Sequence, residues 1–150
     1  MPPAFRFHHI SLSVADLDAE QAWYRAALGL TITDERLDLP GAGVRTAVLS
    51  DGAGLRVELT ERAGSTPVQR PDPYAATAEQ TFTHLALQVP DLDAAFRRLT
   101  AEHAAAAVAE PGPGATNGMR YAYVHDPEGN LIELIETVAD RSQAVPPDGG

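Results

Sequence analysis

The chain has 150 residues, with 11 Lys and Arg against 21 Asp and Glu, a formal net charge of −10 and no cysteine. That length allows one ordinary domain with a real core. The charge excludes a nucleic-acid binder, which needs a basic face, and a ligand of anionic membranes. Without cysteine there is neither a disulfide nor a thiolate ligand, so any metal has to be held by imidazole and carboxylate. No apolar run approaches the ~20 residues that span a bilayer, and no basic segment precedes an apolar one. The chain therefore reads as cytoplasmic.

Residues 7–14 alternate as a strand, with Ile10, Leu12 and Val14 on one face and Phe7, His9, Ser11 and Ser13 on the other. Asp16 or Asp18 suits the N-cap of a helix that runs to Leu28 and stops at Gly29. Strands are predicted at 30–35, 45–50 and 55–61, separated by the glycine-rich turns 39–43 and 51–54. Residues 62–80, with Gly64, Pro67, Pro71 and Pro73, read as a surface linker. A strand then begins near Phe82, a helix follows from about Asp91 to His103, and strands are predicted around Ala107, at 119–125 and at 131–136. Residues 138–150, ending Pro-Pro-Asp-Gly-Gly, read as a flexible tail.

The second set of elements repeats the first. His9 recurs as His84 and Glu58 as Glu133, each at a separation of 75 residues, and Asp51, Gly54, Leu59 and Glu61 recur in the same frame. The fold class expected is α+β: two βαβββ modules, about 5–61 and 81–137, within a single domain spanning 1–150. Strand parity places His9, Glu58, His84 and Glu133 on the face opposite the aliphatic residues that helices would cover. If the halves pair symmetrically, two imidazoles and two carboxylates meet. Such carboxylates repel unless a cation joins them. A His₂Glu₂ set suits a divalent transition metal (Zn, Ni, Co, Mn or Fe) rather than Ca or Mg.

Other residues are weaker signals. Arg45 and Arg120, also 75 apart, are candidates to bind an anionic substrate group or are strand-end charges. Tyr121 and Tyr123 share one face and either line the pocket or pack in a core. His8, His103 and His125 are read as structural.

The segments Phe-x-His-Ile-x-Leu-x-Val-x-Asp-Leu-Asp at 7–18, Trp-Tyr-Arg-Ala-Ala-Leu-Gly-Leu at 23–30, Phe-Thr-His-Leu-Ala-Leu-Gln-Val-Pro-Asp-Leu-Asp at 82–93 and Asp-Pro-Glu-Gly-Asn-Leu-Ile-Glu-Leu-Ile-Glu at 126–136 resemble the vicinal oxygen chelate superfamily. That superfamily includes glyoxalase I, epimerases, extradiol dioxygenases and bleomycin-binding proteins. The resemblance implies a cup-shaped eight-stranded mixed sheet with helices on its outer face, in a homodimer. It also implies that His9, Glu58, His84 and Glu133 match the metal ligands of glyoxalase-type members. Gly41 stands where the epimerases tend to carry an acidic base, and a ligand-type Glu58 disfavours the dioxygenases, whose triad has one carboxylate.

The expectation is a metal-dependent isomerase or lyase acting on a small carbonyl substrate, with Glu133 or Glu58 moving a proton beside the carbonyl. A metal-free protein that sequesters a natural product is the alternative, and an Fe(II) dioxygenase the second alternative.

Overall fold

A computed structural model of the chain describes residues 1, 4–116 and 118–144. The chain divides into two compact units, Met1–Pro67 and Val68–Gly150.

The first unit runs β1 (Ile10–Val14), α1 (Leu17–Leu28), β2 (Ile32–Leu39), a 3-10 turn (Pro40–Ala42), β3 (Val44–Ser50) and β4 (Arg56–Arg62). The second runs α2 (Pro73–Ala76), β5 (His84–Gln88), α3 (Leu92–Glu102), β6 (Ala106–Pro113), β7 (Arg120–His125), β8 (Leu131–Glu136) and α4 (Val138–Ala144). Each unit thus contains the expected βαβββ module. The strands form two four-stranded sheets, ordered β1-β4-β3-β2 and β5-β8-β7-β6. Within each, the outer pair (β1 with β4, β5 with β8) is parallel and the other pairings are antiparallel. Among the described residues, no helix is long and apolar enough to cross a membrane.

The same local chemistry builds both modules. Asp16 and Asp91 cap α1 and α3 by accepting the amide hydrogens of Ala19 and Ala94. Gly29 ends α1 in the left-handed conformation, φ 72°, which a residue with a Cβ adopts only at a cost. Asp51 and Asp126 close the last hairpin of each module, each accepting two backbone N–H bonds through Oδ1. Alternation then decides the faces. Leu49, Val57 and Leu59 are fully buried with Tyr24 and Leu17 of α1 in one apolar cluster. In the second unit Val124, Ile132 and Leu134 are buried, as are Leu92, Phe96 and Leu99 of α3. Leu59 and Leu134 are almost wholly buried, and truncating either to Ala would cost about 2–5 kcal/mol.

Four details differ from expectation. The first strand starts at Ile10 rather than residue 7, and the second runs Ile32–Leu39 rather than 30–35. The segment expected as a linker carries α2, because Asp72 caps it and Pro73 sits at its first position. The segment expected as a flexible tail carries α4. Thr137 and Asp140 exchange hydrogen bonds across its first turn, a capping-box geometry that overrides the weak apolar pattern. Residues 145–150 of that tail lie outside the described residues.

Candidate functional site

In the second unit His84 lies opposite Leu131 and Ala86 opposite Glu133, so His84 and Glu133 are diagonal neighbours on one face. Both side chains reach inward along that diagonal. His84 Nε2 is 3.0 Å from Glu133 Oε2. That is the spacing of a hydrogen-bonded pair, and two ligands of one ion at bond lengths of about 2.1 Å stand roughly 3.0–3.4 Å apart, so the same two atoms are close enough to share an ion. The Thr83 hydroxyl sits 2.8 Å from His84 Nδ1. A hydroxyl both donates and accepts, so Thr83 can hold the ring with the proton on either nitrogen.

Tyr123 completes this cluster. It stands opposite Glu133 in the ladder, is buried, and presents its ring edge-on to His84 at 5.4 Å. Burial first, and then the neighbouring Glu133 charge, push its hydroxyl up to about 12. At neutral pH it is therefore a hydrogen-bond donor. Tyr121 packs edge-to-face on Tyr123 at 5.8 Å. Ala76 of α2 closes over Tyr123 and Leu131 with Val108, Ala109 and Tyr121 around them. His125 fixes that approach by donating from Nε2 to the Arg70 carbonyl at 2.7 Å. At the other end of the face, Gln88 donates to Asp140 of α4.

The first unit repeats the framework but not the contact. Ser11 lies opposite Glu58 and donates to its Oε1 at 2.7 Å. His9 precedes the first ladder residue and turns instead to His8, with Nδ1 atoms 2.7 Å apart. The cause is Arg56, which occupies the place of Leu131 in the repeat and bonds His8 Nε2 at 3.0 Å. A guanidinium only donates, so His8 Nε2 accepts and its Nδ1 carries the hydrogen that His9 Nδ1 receives. His9 then keeps its own proton on Nε2. Neither His8 nor Arg56 stood out in the sequence, although the break in the repeat at Arg56 was visible there.

Arg45 and Arg120 do not belong to this face. Each lies in register with a glutamate of the helix-covered side, Glu61 and Glu136. Arg45 bonds Glu61 at 2.8 Å and Asp18 at 3.2 Å; Arg120 bonds Asp93 at 2.7 Å and Glu136 at 3.2 Å. The two triads are repeats of one another. They clip the first turn of each helix to its sheet, and the arginine partners hold Glu61 and Asp93 below the usual carboxylate range. Of the two readings of Arg45 and Arg120, these bonds match that of strand-end charges.

Within either unit, among the described residues, no three His, Asp or Glu side chains converge as a metal cluster. Of the four expected donors, His84 and Glu133 meet side chain to side chain, and their atom types suit a divalent ion. His9 bonds His8 and Glu58 accepts from Ser11.

Residues 6–134 match the family model of the Glyoxalase/Bleomycin resistance protein/Dioxygenase superfamily. The chain is 30% identical to a probable lactoylglutathione lyase of Synechocystis sp. over 132 residues, covering 86% of this chain and 93% of the relative. It is 28% identical to a 2-epi-5-epi-valiolone epimerase of Actinomyces sp., covering 93% and 83%. A glyoxalase family protein from Bacillus cereus superposes with a TM-score of 0.71 at 23% identity, covering 91% of this chain and 96% of that one. Against glyoxalase I from Zea mays the TM-score is 0.65, and the chain spans under half of that protein, 45%.

Proposed function

Because the chain belongs to the Glyoxalase/Bleomycin resistance protein/Dioxygenase superfamily, we propose that it is a metal-dependent isomerase or lyase of glyoxalase type acting on a small carbonyl compound. His9, Glu58, His84 and Glu133 hold the ion, two donors from each module, the modules belonging to one chain or to two copies of it in a homodimer. The observation that carries this reading is the His84–Glu133 pair at 3.0 Å, with its sequence counterpart in His9 and Glu58. The named relatives, a probable lyase and an epimerase, support the reaction class.

A bound divalent ion supplies Lewis-acid polarisation of a substrate carbonyl. The protein's own groups do the rest. Glu133 takes the proton from the carbon beside the carbonyl and returns it to the neighbouring carbon or to the opposite face, and Glu58 is the alternative base. The Tyr123 hydroxyl, kept protonated, steadies the Glu133 carboxylate between proton transfers. Tyr123, backed by Tyr121, holds the His84 ring from its edge, and α2 covers that end of the face.

Elemental analysis of protein purified without added metal or chelator tests the assignment. About one transition-metal ion per chain is expected, and none in a His9→Ala/His84→Ala double variant. Protein that stays empty after incubation with Zn²⁺, Ni²⁺, Co²⁺, Mn²⁺ and Fe²⁺ would leave the metal-free binding reading. That second reading is favoured by the exposed ring of Phe82, which suits a flat apolar ligand.

A further inference from the structure

The first unit holds a cavity of about 330 Å³ lined by Phe7, His8, Ile32, Asp34, Ser50 and Arg56, among others. That volume is at the small-ligand end of binding pockets. Its polar centre is the ion pair of Arg56 Nε with Asp34 Oδ2, 3.0 Å apart, with side chains 34% and 28% exposed. Asp34 is placed there by a β-bulge. Thr33 pairs with Leu49 and Glu35 with Val48, so Asp34 is the extra residue that opposes none.

The second module shows that the fold does not require this pair. It builds the same bulge one module on, where Ala107 pairs with Val124 and Ala109 with Tyr123, and Val108 is the extra residue. In the position of Arg56 it has Leu131, opposite His84 as the first module would set Arg56 opposite His9. Two apolar residues serve one module, and two charges stand in their places in the other. A surface pair of this kind adds little stability, which leaves recognition as the role that accounts for both.

The chemistry of the ligand follows from the charges. Asp34 pairs with Arg56 and offsets its charge, so the cavity offers an anion no unpaired guanidinium. It offers donors and an acceptor side by side instead. Among the described residues, Asp34 and His8 take two of the five N–H donors of Arg56, and Asp34 accepts through Oδ2. Neighbouring hydroxyls, each a donor and an acceptor, match that arrangement. Phe7, Ile32 and Leu55 supply an apolar wall for a ring's C–H face. Arg56 and Glu58 share a face two residues apart on β4, a span of about 6.5 Å.

We propose that this cavity is the specificity subsite of the chain and takes the hydroxylated part of a neutral, monosaccharide-sized polyhydroxy carbonyl substrate, Asp34 accepting from and Arg56 donating to adjacent hydroxyls. The assignment of the carbonyl end rests on the role proposed for Glu58.

Calorimetric titration of the full chain tests it, with myo-inosose (a neutral pentahydroxycyclohexanone), cyclohexanone and fructose 6-phosphate as probes, each in Zn²⁺ and in chelator. Saturable binding of inosose is expected, weakened about tenfold or more by Arg56→Gln and by Asp34→Asn, the loss of one charge-assisted partner. Asp34→Asn should also gain affinity for fructose 6-phosphate, because Arg56 then lacks its counter-charge. The subsite is overturned if wild type ignores inosose, prefers the phosphate or cyclohexanone, or binds inosose as tightly in both variants as without them. Zinc content of the same samples separates the two readings. Inosose binding that responds to the variants in a protein that takes up no zinc sinks the metal site and keeps the subsite; normal zinc uptake with unresponsive inosose binding does the reverse. Unchanged melting temperatures in the variants exclude misfolding as the cause.

Discussion

Arg45 and Arg120 occupy equivalent positions and make equivalent bonds, yet their surroundings differ enough to predict unequal consequences. The Glu136 side chain is 5% exposed and the Glu61 side chain 25%. Removing Arg120 leaves a buried carboxylate whose nearest remaining cation, Arg141, stands 3.9 Å away. Arg120→Met should therefore cost about 1–3 kcal/mol of unfolding free energy in a denaturant titration. Arg45→Met should cost clearly less, because water can reach Glu61. Both variants should keep the metal content of wild type, since neither arginine lies on the face of Glu58 and Glu133. A loss of metal in either would show that the helix-side assignment is wrong. The residue proposed to act on the ligand side is Tyr123. Tyr123→Phe keeps the ring that packs on His84 and removes only the donor beside Glu133, so turnover should fall with metal content unchanged. Metal loss in Tyr123→Phe would instead assign the hydroxyl a ligand-orienting role.

The helix-to-sheet clips act at the scale of elements and give the fold a predictable response to acid. Glu61 accepts from the first amide of α1, Leu17 N–H, at 2.8 Å as well as from Arg45. These bonds hold its folded-state pKa below the ordinary 4.5. Asp93 at the start of α3, through Arg120, and Asp140 at the start of α4, through Thr137, lie below the ordinary 3.8. A carboxylate with a depressed folded pKa stabilises the protein above its unfolded pKa and loses that contribution as pH falls through the folded one. Stability should thus be level above roughly pH 5 and decline below about 4.5. The decline should be shallower in Glu61→Gln, measured by denaturant unfolding at stepped pH. An equal slope in Glu61→Gln would assign the acid loss to other groups. These clips were half legible in the sequence: the 75-residue spacing of Arg45 and Arg120 was plain, but parity relative to Glu58 had to be read for each strand to see that they face the helices. The modules themselves were legible because period-two alternation and Asp caps recur in both copies. The helices α2 and α4 were missed because proline and a short polar run mask caps that only Asp72 and Thr137-x-x-Asp140 disclose. The bulge at Asp34 leaves no trace in an apolar pattern at all, since one extra residue in a strand is invisible until its partner is known.

At the scale of the whole molecule the decisive quantity is how the two donor pairs depend on each other. A pair of ligands, one imidazole and one carboxylate, holds a divalent ion weakly, whereas four donors around one ion add their contributions and release more bound water. The metal proposed here uses His9 and Glu58 from one module and His84 and Glu133 from the other. Its stoichiometry is one ion per chain whether the modules meet within a chain or between two copies in a dimer. The pairs differ in readiness: His84 already faces Glu133, while His9 has to leave His8. If each pair bound its own ion, His84→Ala would abolish the better half-site and His9→Ala would leave it intact. If the four act together, both single variants should lose nearly all of the metal. The second outcome is expected, and with it a melting temperature that falls in both variants to that of chelator-treated wild type. Binding to the native state alone stabilises by RT ln(1 + [L]/Kd), about 2.7 kcal/mol at a hundredfold excess over Kd, enough to read as a shift of a few degrees for a chain of this length. A His9→Ala protein that keeps its metal and its melting temperature would confine the ion to the second module and remove Glu58 from the chemistry.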